Sequence, residues 1–189
     1  MILTLDIETI PQITDEIRAE VSAGIRPPGN MSKAETIAAW ERDIKPGLVE
    51  AELARGGLDA TRGEVLCVTY ALDGEAPVFL MGEEQTLLRA TLDMIAGLPS
   101  GVVFVGHNLT GFDLPFLRQR CWANGLAVPR RPFKVKTWDD CIADTMLMWS
   151  PERDRKISLD KLCRVLGVPS PKKDGMDGSQ VWPLYQAGE

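Results

Sequence analysis

Asp6 and Glu8 stand two residues apart inside a short apolar run, Ile2-Leu3-Thr4-Leu5-Asp6-Ile7-Glu8-Thr9. In a β-strand, residues i and i+2 point to the same face, so the two carboxylates would project side by side. Like charges at that spacing raise each other's proton affinity unless a cation neutralises them. A hard divalent ion such as Mg²⁺ or Mn²⁺, which prefers carboxylate oxygens, would meet that need. The plainer alternative is a strand carrying two solvated acids, since a lone D-x-E is short and common. A second constellation is Gly106-His107-Asn108-Leu109-Thr110-Gly111-Phe112-Asp113. Asn108 falls where the apolar run 102–105 would leave a sheet, a frequent place for active-site residues in open α/β folds. Asp113 would lie in the first turn of the next helix, where the helix dipole favours a carboxylate. Capping that helix is its plainer role.

The elements needed to hold these residues follow from periodicity. After the first strand, residues 14–23 read as a helix capped by Thr14 or Asp15. Ser32 and Glu35 have capping-box spacing ahead of a helix over 34–42, and 48–55 resumes helically after an interruption at Pro46-Gly47. Residues 11–62 thus form a helical, loop-rich insertion, either a structural flap that covers one sheet edge or a lid or substrate-guiding arm. From 65 to 72 the pattern turns to strand, Asp73-Gly74 signals a tight turn, and 77–81 is the returning strand. A helix over 83–98 carries Leu87, Leu88, Leu92 and Ile95 on one stripe. Strand 102–105 and helix 112–124 follow, then over 141–149 either a fifth strand or a strand leading into a helix, and a helix over 158–166. The whole predicts one α/β domain, 1–189, with an antiparallel three-strand start, then parallel strands, helices on the faces, and the insertion after the first strand.

Composition narrows the chemistry. With 44% hydrophobic and 25% charged residues in 189, the chain is ordinary globular material, without an apolar run of membrane-spanning length or a signal-peptide pattern. The four cysteines contain no C-x-x-C pair and read as reduced thiols of a cytoplasmic protein. A single histidine, His107, excludes His-rich metal sites and leaves Ser-His-Asp or Cys-His catalysis only if His107 is the base. The net charge of −6 argues against nonspecific adhesion to nucleic acid, though not against an acidic metal site flanked by local basic patches.

Leu5-Asp6-Ile7-Glu8-Thr9 resembles the first motif of the DEDD (DnaQ-like) 3′–5′ exonuclease superfamily, and the 106–113 stretch resembles its second, N-x-x-x-F-D. The resemblance implies a ribonuclease H-like fold. It also implies two-metal hydrolysis of terminal phosphodiester bonds of DNA or RNA, releasing nucleoside 5′-monophosphates, with Mg²⁺ or Mn²⁺ as cofactors. On that resemblance Asp6 would bridge both metals, Glu8 would bind the nucleophile-side metal, and Asp113 would bind the second. His107, Asn108 and Phe112 would shape the substrate pocket, and Thr9 and Ile10 would meet the terminal nucleotide. The partner implied is a single-stranded DNA or RNA 3′ end, with a polymerase or a replication or repair protein as a further candidate.

The superfamily's third motif, Y-x-x-x-D or H-x-x-x-x-D, is not intact, and no histidine follows His107. Tyr185 and Glu189 have the tyrosine spacing with Glu in place of Asp on the last residue. Asp144 is the internal alternative for a fourth acid, with an N-cap or a buried hydrogen-bonding acid as its plainer role. The expectation is that 181–189 begins a helix ahead of the missing motif in a chain truncated at its C-terminal end. The alternative function is a weak or inactive ribonuclease H-like domain that binds nucleic acid or associates with a polymerase. The densest basic run, Pro129-Arg130-Arg131-Pro132-Phe133-Lys134-Val135-Lys136, could track phosphates through Arg130, Arg131 and Lys134 with a stacking aromatic. A solvated loop is its simpler reading.

Overall fold

β1 (Ile2–Pro11) shows why its sequence makes a strand: Leu3, Leu5 and Ile7 are buried, while Thr4 and Asp6 between them face outward. The structure is a computed structural model that describes residues 1–134, 139–151, 156–170 and 178–188, without the side chain of Ser179. The chain divides into two compact units, Met1–Glu8 with Val65–Glu189, and Thr9–Glu64.

Among the described residues, five strands form one sheet in the order β3-β2-β1-β4-β5, the mixed sheet of a ribonuclease H-like fold. β2 (Gly63–Leu72) pairs antiparallel with β3 (Val78–Met81), Cys67 opposite Met81 and Tyr70 opposite Val78. Asp73 and Gly74 turn the hairpin with φ of 45° and 81°, the left-handed values that two-residue hairpin turns favour. The Asp73 amide donates to the Ile2 carbonyl at 2.9 Å, which sets the end of this turn beside the start of β1. β4 (Val103–Gly106) runs parallel to β1 with Leu3 opposite Phe104 and Thr4 opposite Val105. β5 (Ile142–Asp144) runs parallel to β4, with Asp144 opposite Gly106.

Helix α4 (Glu84–Ala96) buries Leu87, Leu88, Thr91 and Ile95, and α5 (Asp113–Ala123) buries Leu114, Phe116, Leu117 and Cys121. The two are fastened by Glu84 and Arg120, whose charged groups meet at 2.7 Å with little solvent exposure. α6 (Thr145–Trp149) continues directly from β5, and α7 (Leu159–Leu166) starts at a Ser158 cap and stops at Gly167 with φ 69°. The last helix, α8 (Val181–Ala187), follows a 3₁₀ turn at Gly178–Gln180.

The Thr9–Glu64 unit holds α1 (Asp15–Gly24), α2 (Ala34–Asp43) and α3 (Lys45–Ala54), with α1 and α3 meeting at Val21, Val49 and Leu53 and α2 burying Trp40. Thr14 caps α1 by accepting from the Ile17 amide. Two expectations change here. The Ser32–Glu35 capping box does not form, because the Thr36 and Ile37 amides bond the Lys33 carbonyl and move the helix start past Ser32. Pro46 opens α3 instead of interrupting it, since a first-turn residue has no intrahelical use for an N–H.

All four cysteines are free, and Cys67 alone among them is not fully buried. No helix among the described residues is long and apolar enough to cross a membrane.

Candidate active site

The three acids singled out in the sequence come from two elements that the chain separates by about a hundred residues. The alternation of β1 sends Asp6 and Glu8 to the face opposite Leu5 and Ile7. Between them, the Ile7 amide donates to Asp113 Oδ1 at 3.1 Å. Asp113 therefore reaches β1 at the peptide that lies between the two strand acids. The loop from β4 to α5 makes that reach possible. Gly106 is required at its start, because a Cβ there would sit 2.9 Å from the Leu5 carbonyl and 3.1 Å from the Leu109 side chain. Asn108 adopts φ 65°, and a Cβ on Gly111 would collide with the Asn108 side-chain oxygen.

Electrostatics sets these acids apart from ordinary surface carboxylates. Burial, and next the charge of Asp6, push the Asp113 carboxyl up to about 8, against the pull of amide hydrogen bonds. Asp6 keeps a solvent-facing edge, yet the surrounding protein desolvates it enough to raise its carboxyl above the usual range. On β2, burial followed by the nearby Glu8 and Asp6 charges holds the Cys67 thiol above its ordinary value, although the Glu8 amide bonds it. Negative charge at this place is costly, and hard oxygen donors are what a divalent cation takes. As the side chains stand, no three His, Cys, Asp or Glu among the described residues converge closely enough to hold a metal ion.

The other residues from the sequence reading are distributed unevenly. Asp144 is buried at 3% exposure and its carboxylate is fully engaged. Oδ1 accepts from the Asn108 and Met146 amides at 2.9 and 3.1 Å, and Oδ2 from the Thr110 amide and hydroxyl at 2.9 and 2.8 Å. His107 uses both ring nitrogens, Nδ1 against the Thr145 hydroxyl at 2.9 Å and Nε2 against the Ile157 carbonyl at 2.8 Å. Phe112 is half-buried against Phe116, ring centroids 5.4 Å apart. Thr9 donates its hydroxyl to the Gly57 carbonyl at 2.6 Å, and Ile10 is buried. Arg130 and Lys134 are exposed, while Arg131 donates to the Ser100 carbonyl at 2.7 Å. Phe133 is buried at 4% exposure, so the expected stacking aromatic of the basic run is core. Val135, Lys136 and Glu189 lie outside the described residues.

Sequence reasoning missed three neighbours. Cys67 was read only as a thiol, although its place opposite β1 brings it to Glu8. Gly178 lies close to Glu8 as well, since a Cβ on it would come 3.9 Å from Glu8 Oε2. Beside the basic run, the Arg118 guanidinium lies 5.3 Å from the ring centroid of Trp122, an exposed aromatic that the α5 pattern could have revealed as a large apolar residue off the buried stripe.

Comparison with known proteins bears on the family and the fold. Residues 65–189 match the model of a family described as a predicted 3′–5′ exonuclease related to the exonuclease domain of PolB. That match contains Asp113 and begins after Asp6 and Glu8. No curated protein matches the sequence. Among solved structures, the family B DNA polymerase from the hyperthermophilic archaeon Pyrobaculum calidifontis is similar with a TM-score of 0.58 and 16% identity. The likeness covers 98% of this chain and 21% of the polymerase, so the chain spans about a fifth of that protein's length, and what it shares is the fold. With more than half of its 189 residues inside the family match, and with a DnaQ-like, ribonuclease H-like fold around the acids, the chain belongs to the predicted 3′–5′ exonucleases related to the exonuclease domain of PolB.

Proposed function

We propose that this chain is a divalent-metal-dependent 3′–5′ exonuclease that hydrolyses the terminal phosphodiester bond of a single-stranded DNA or RNA. The observation that carries the reading is the Asp113 carboxylate bonded to the Ile7 amide between Asp6 and Glu8. A buried acid held near pH neutrality beside a second raised acid is poised to take up positive charge, which is the pattern of a functional rather than a structural carboxylate. Asp6, Glu8 and Asp113 would hold Mg²⁺ or Mn²⁺, which when bound supplies an activated water and neutralises the charge that builds on the leaving oxygen. The residues of the chain divide the rest of the work. Asp6 and Asp113 present carboxylate oxygens from two elements, and the Ile7 amide fixes how Asp113 is turned. Arg130 and Lys134, exposed beyond α5, offer phosphate contacts. The likeness to a polymerase supports a nucleic-acid substrate and a polymerase or a replication protein as partner.

The test is incubation with 3′-labelled single-stranded DNA and RNA in Mg²⁺ or Mn²⁺, beside an Asp6→Ala control. Release of nucleoside 5′-monophosphates that stops without metal and in the control supports the reading, and intact substrate at every metal concentration refutes it. A second reading, a domain that binds nucleic acid without cutting, is favoured by the lack of three converging metal-binding side chains among the described residues. Metal-independent binding to the same labelled strand with no shortening would select it.

A further inference from the structure

We propose that Asp144 is the positioning residue of this site, a buried carboxylate that sets where Asp113 stands by holding the β4–α5 loop. The inference rests on the exonuclease reading and assigns Asp144 a role other than metal ligand.

The argument starts from register. Asp144 is the last residue of β5 and lies opposite Gly106, the last residue of β4, so both strands release their chains at the same level of the sheet. The chain leaving β4 has only six residues, 107–112, before Asp113 begins α5. A loop that short still has several polar amides to satisfy where it is half withdrawn from solvent. Asp144 takes those of Asn108 and Thr110, together with the Thr110 hydroxyl, and spends its remaining acceptor capacity on Met146, the residue two on in its own α6. Four donors fill the acceptor sites that a carboxylate has, which leaves none for a cation.

Its neighbour adds a second prong. The Thr145 hydroxyl lies 3.1 Å from the Gly106 carbonyl and 2.9 Å from His107 Nδ1. The loop is thus gripped at Gly106, His107, Asn108 and Thr110. It needs that grip because Asn108 sits in the left-handed region, which costs a non-glycine residue energy. From Asn108 the hold is passed on: its carbonyl accepts the Gly111 and Phe112 amides, both at 2.9 Å, and the Leu109 carbonyl accepts that of Leu114. Asp113 is enclosed between those last two bonds. Displacing Asp144 therefore displaces the carboxylate that meets Ile7.

Asp144→Asn is the informative change because it keeps size and removes acceptor capacity. If the amide oxygen serves Asn108 and Met146, an NH₂ faces the Thr110 amide, and that donor loses its partner. Thr110→Val is a milder second variant that removes only the hydroxyl bond. The experiment compares wild type, Asp144→Asn, Thr110→Val and Thr110→Ser by amide hydrogen exchange and by initial rates on 3′-labelled single-stranded DNA across a Mn²⁺ titration. In Asp144→Asn, exchange at Thr110 rises about tenfold or more while the buried stripe of α4 keeps its protection, and kcat falls about 10- to 100-fold with KM for DNA changed less than about threefold. Thr110→Val shows a smaller loss in kcat, and Thr110→Ser recovers it. Full kcat in Asp144→Asn, or a loss that appears in KM and follows a general rise in exchange, overturns the positioning role. Wild-type protein that cuts nothing at any metal concentration overturns the exonuclease reading instead.

Discussion

Glu84 and Asp113 are each the first residue of a helix, α4 and α5, and each is withdrawn from solvent in the same unit. Their surroundings treat them oppositely. Burial acts to raise the Glu84 carboxyl, but Arg120, the Val65 amide and Asn124 outweigh it and hold the group below its ordinary value. At Asp113, burial and the charges of Asp6 and Asp144 outweigh the amides of Ile7 and of Asp113 itself, and the carboxyl rises to about 8. One acid is neutralised by a cation of its own chain, and the other is left with a raised proton affinity. The sequence cue, an acid opening a helix, is identical, so what distinguishes structure from function is the partner brought by the fold.

The comparison can be broken most severely at Glu84. Glu84→Ala leaves the Arg120 guanidinium buried beside α4 without its main counterion, and unfolding in urea should show a loss of about 3–5 kcal/mol. An equal loss from Asp113→Asn would erase the distinction. The next effect is of pH on the metal-free protein. Asp113 keeps its proton in the folded chain up to about 8, whereas the unfolded chain releases it near 3.8. Its contribution is therefore fully present below the lower value and is lost as pH rises between the two, with a slope of about 1.4 kcal/mol per pH unit from this group. Glu84 has the opposite sign, contributing above its ordinary 4.5 and losing that contribution as pH falls through its lowered value. Added Mg²⁺ should flatten the Asp113 slope, and a urea series from pH 5 to 8 with and without the ion measures it.

Smaller still is Asp113→Asn at pH 4, close to the unfolded value, where the wild-type acid is protonated in the folded chain and the amide oxygen can still accept from Ile7. Stability there should move by about 1 kcal/mol or less, the worth of a typical hydrogen bond, and the variant should become steadily the more stable of the two as pH rises from 4 to 8. Ser158→Ala offers a third way of starting a helix. It removes a hydroxyl cap on the Lys161 amide at the head of α7 and should cost about 0.5–1 kcal/mol with no dependence on pH between 5 and 9. A pH-dependent loss there would show that helix starts, not the site, govern the titration.

How far the sequence carried depended on the range over which the cause acts. β1 could be read in advance because burial of every second residue writes a period of two into Leu3, Leu5 and Ile7. The helix of Asp113 could be read from its buried stripe, and the Asp73-Gly74 turn from the φ values that those residue types permit. The meeting of Asp113 with Ile7 could not, since 106 residues separate them and neither type of residue announces a main-chain bond. Asp144 was noticed as an acid in an apolar strand, with an N-cap or a buried hydrogen-bonding acid as its plainer role, and that role is seen; that its other partners are amides of a distant loop could not be read. Phe133 looked like a stacking surface because it lies among cations, and only packing shows that it points inward.

The pairing of β1 with β4 has a consequence for insertion and deletion. Three pairs fix it, Ile2 with Val103, Leu3 with Phe104 and Thr4 with Val105, and all lie on the N-terminal side of Asp6. Removing one residue between Thr4 and Asp6 would keep those pairs and invert every side chain beyond them, sending Ile7 outward and both acids into the core. Inserting two there would keep the faces but shift the amide that Asp113 reads by a full step. The strand thus works as a ruler with one admissible length, and a lineage carrying this site can vary its residues far more freely than their number.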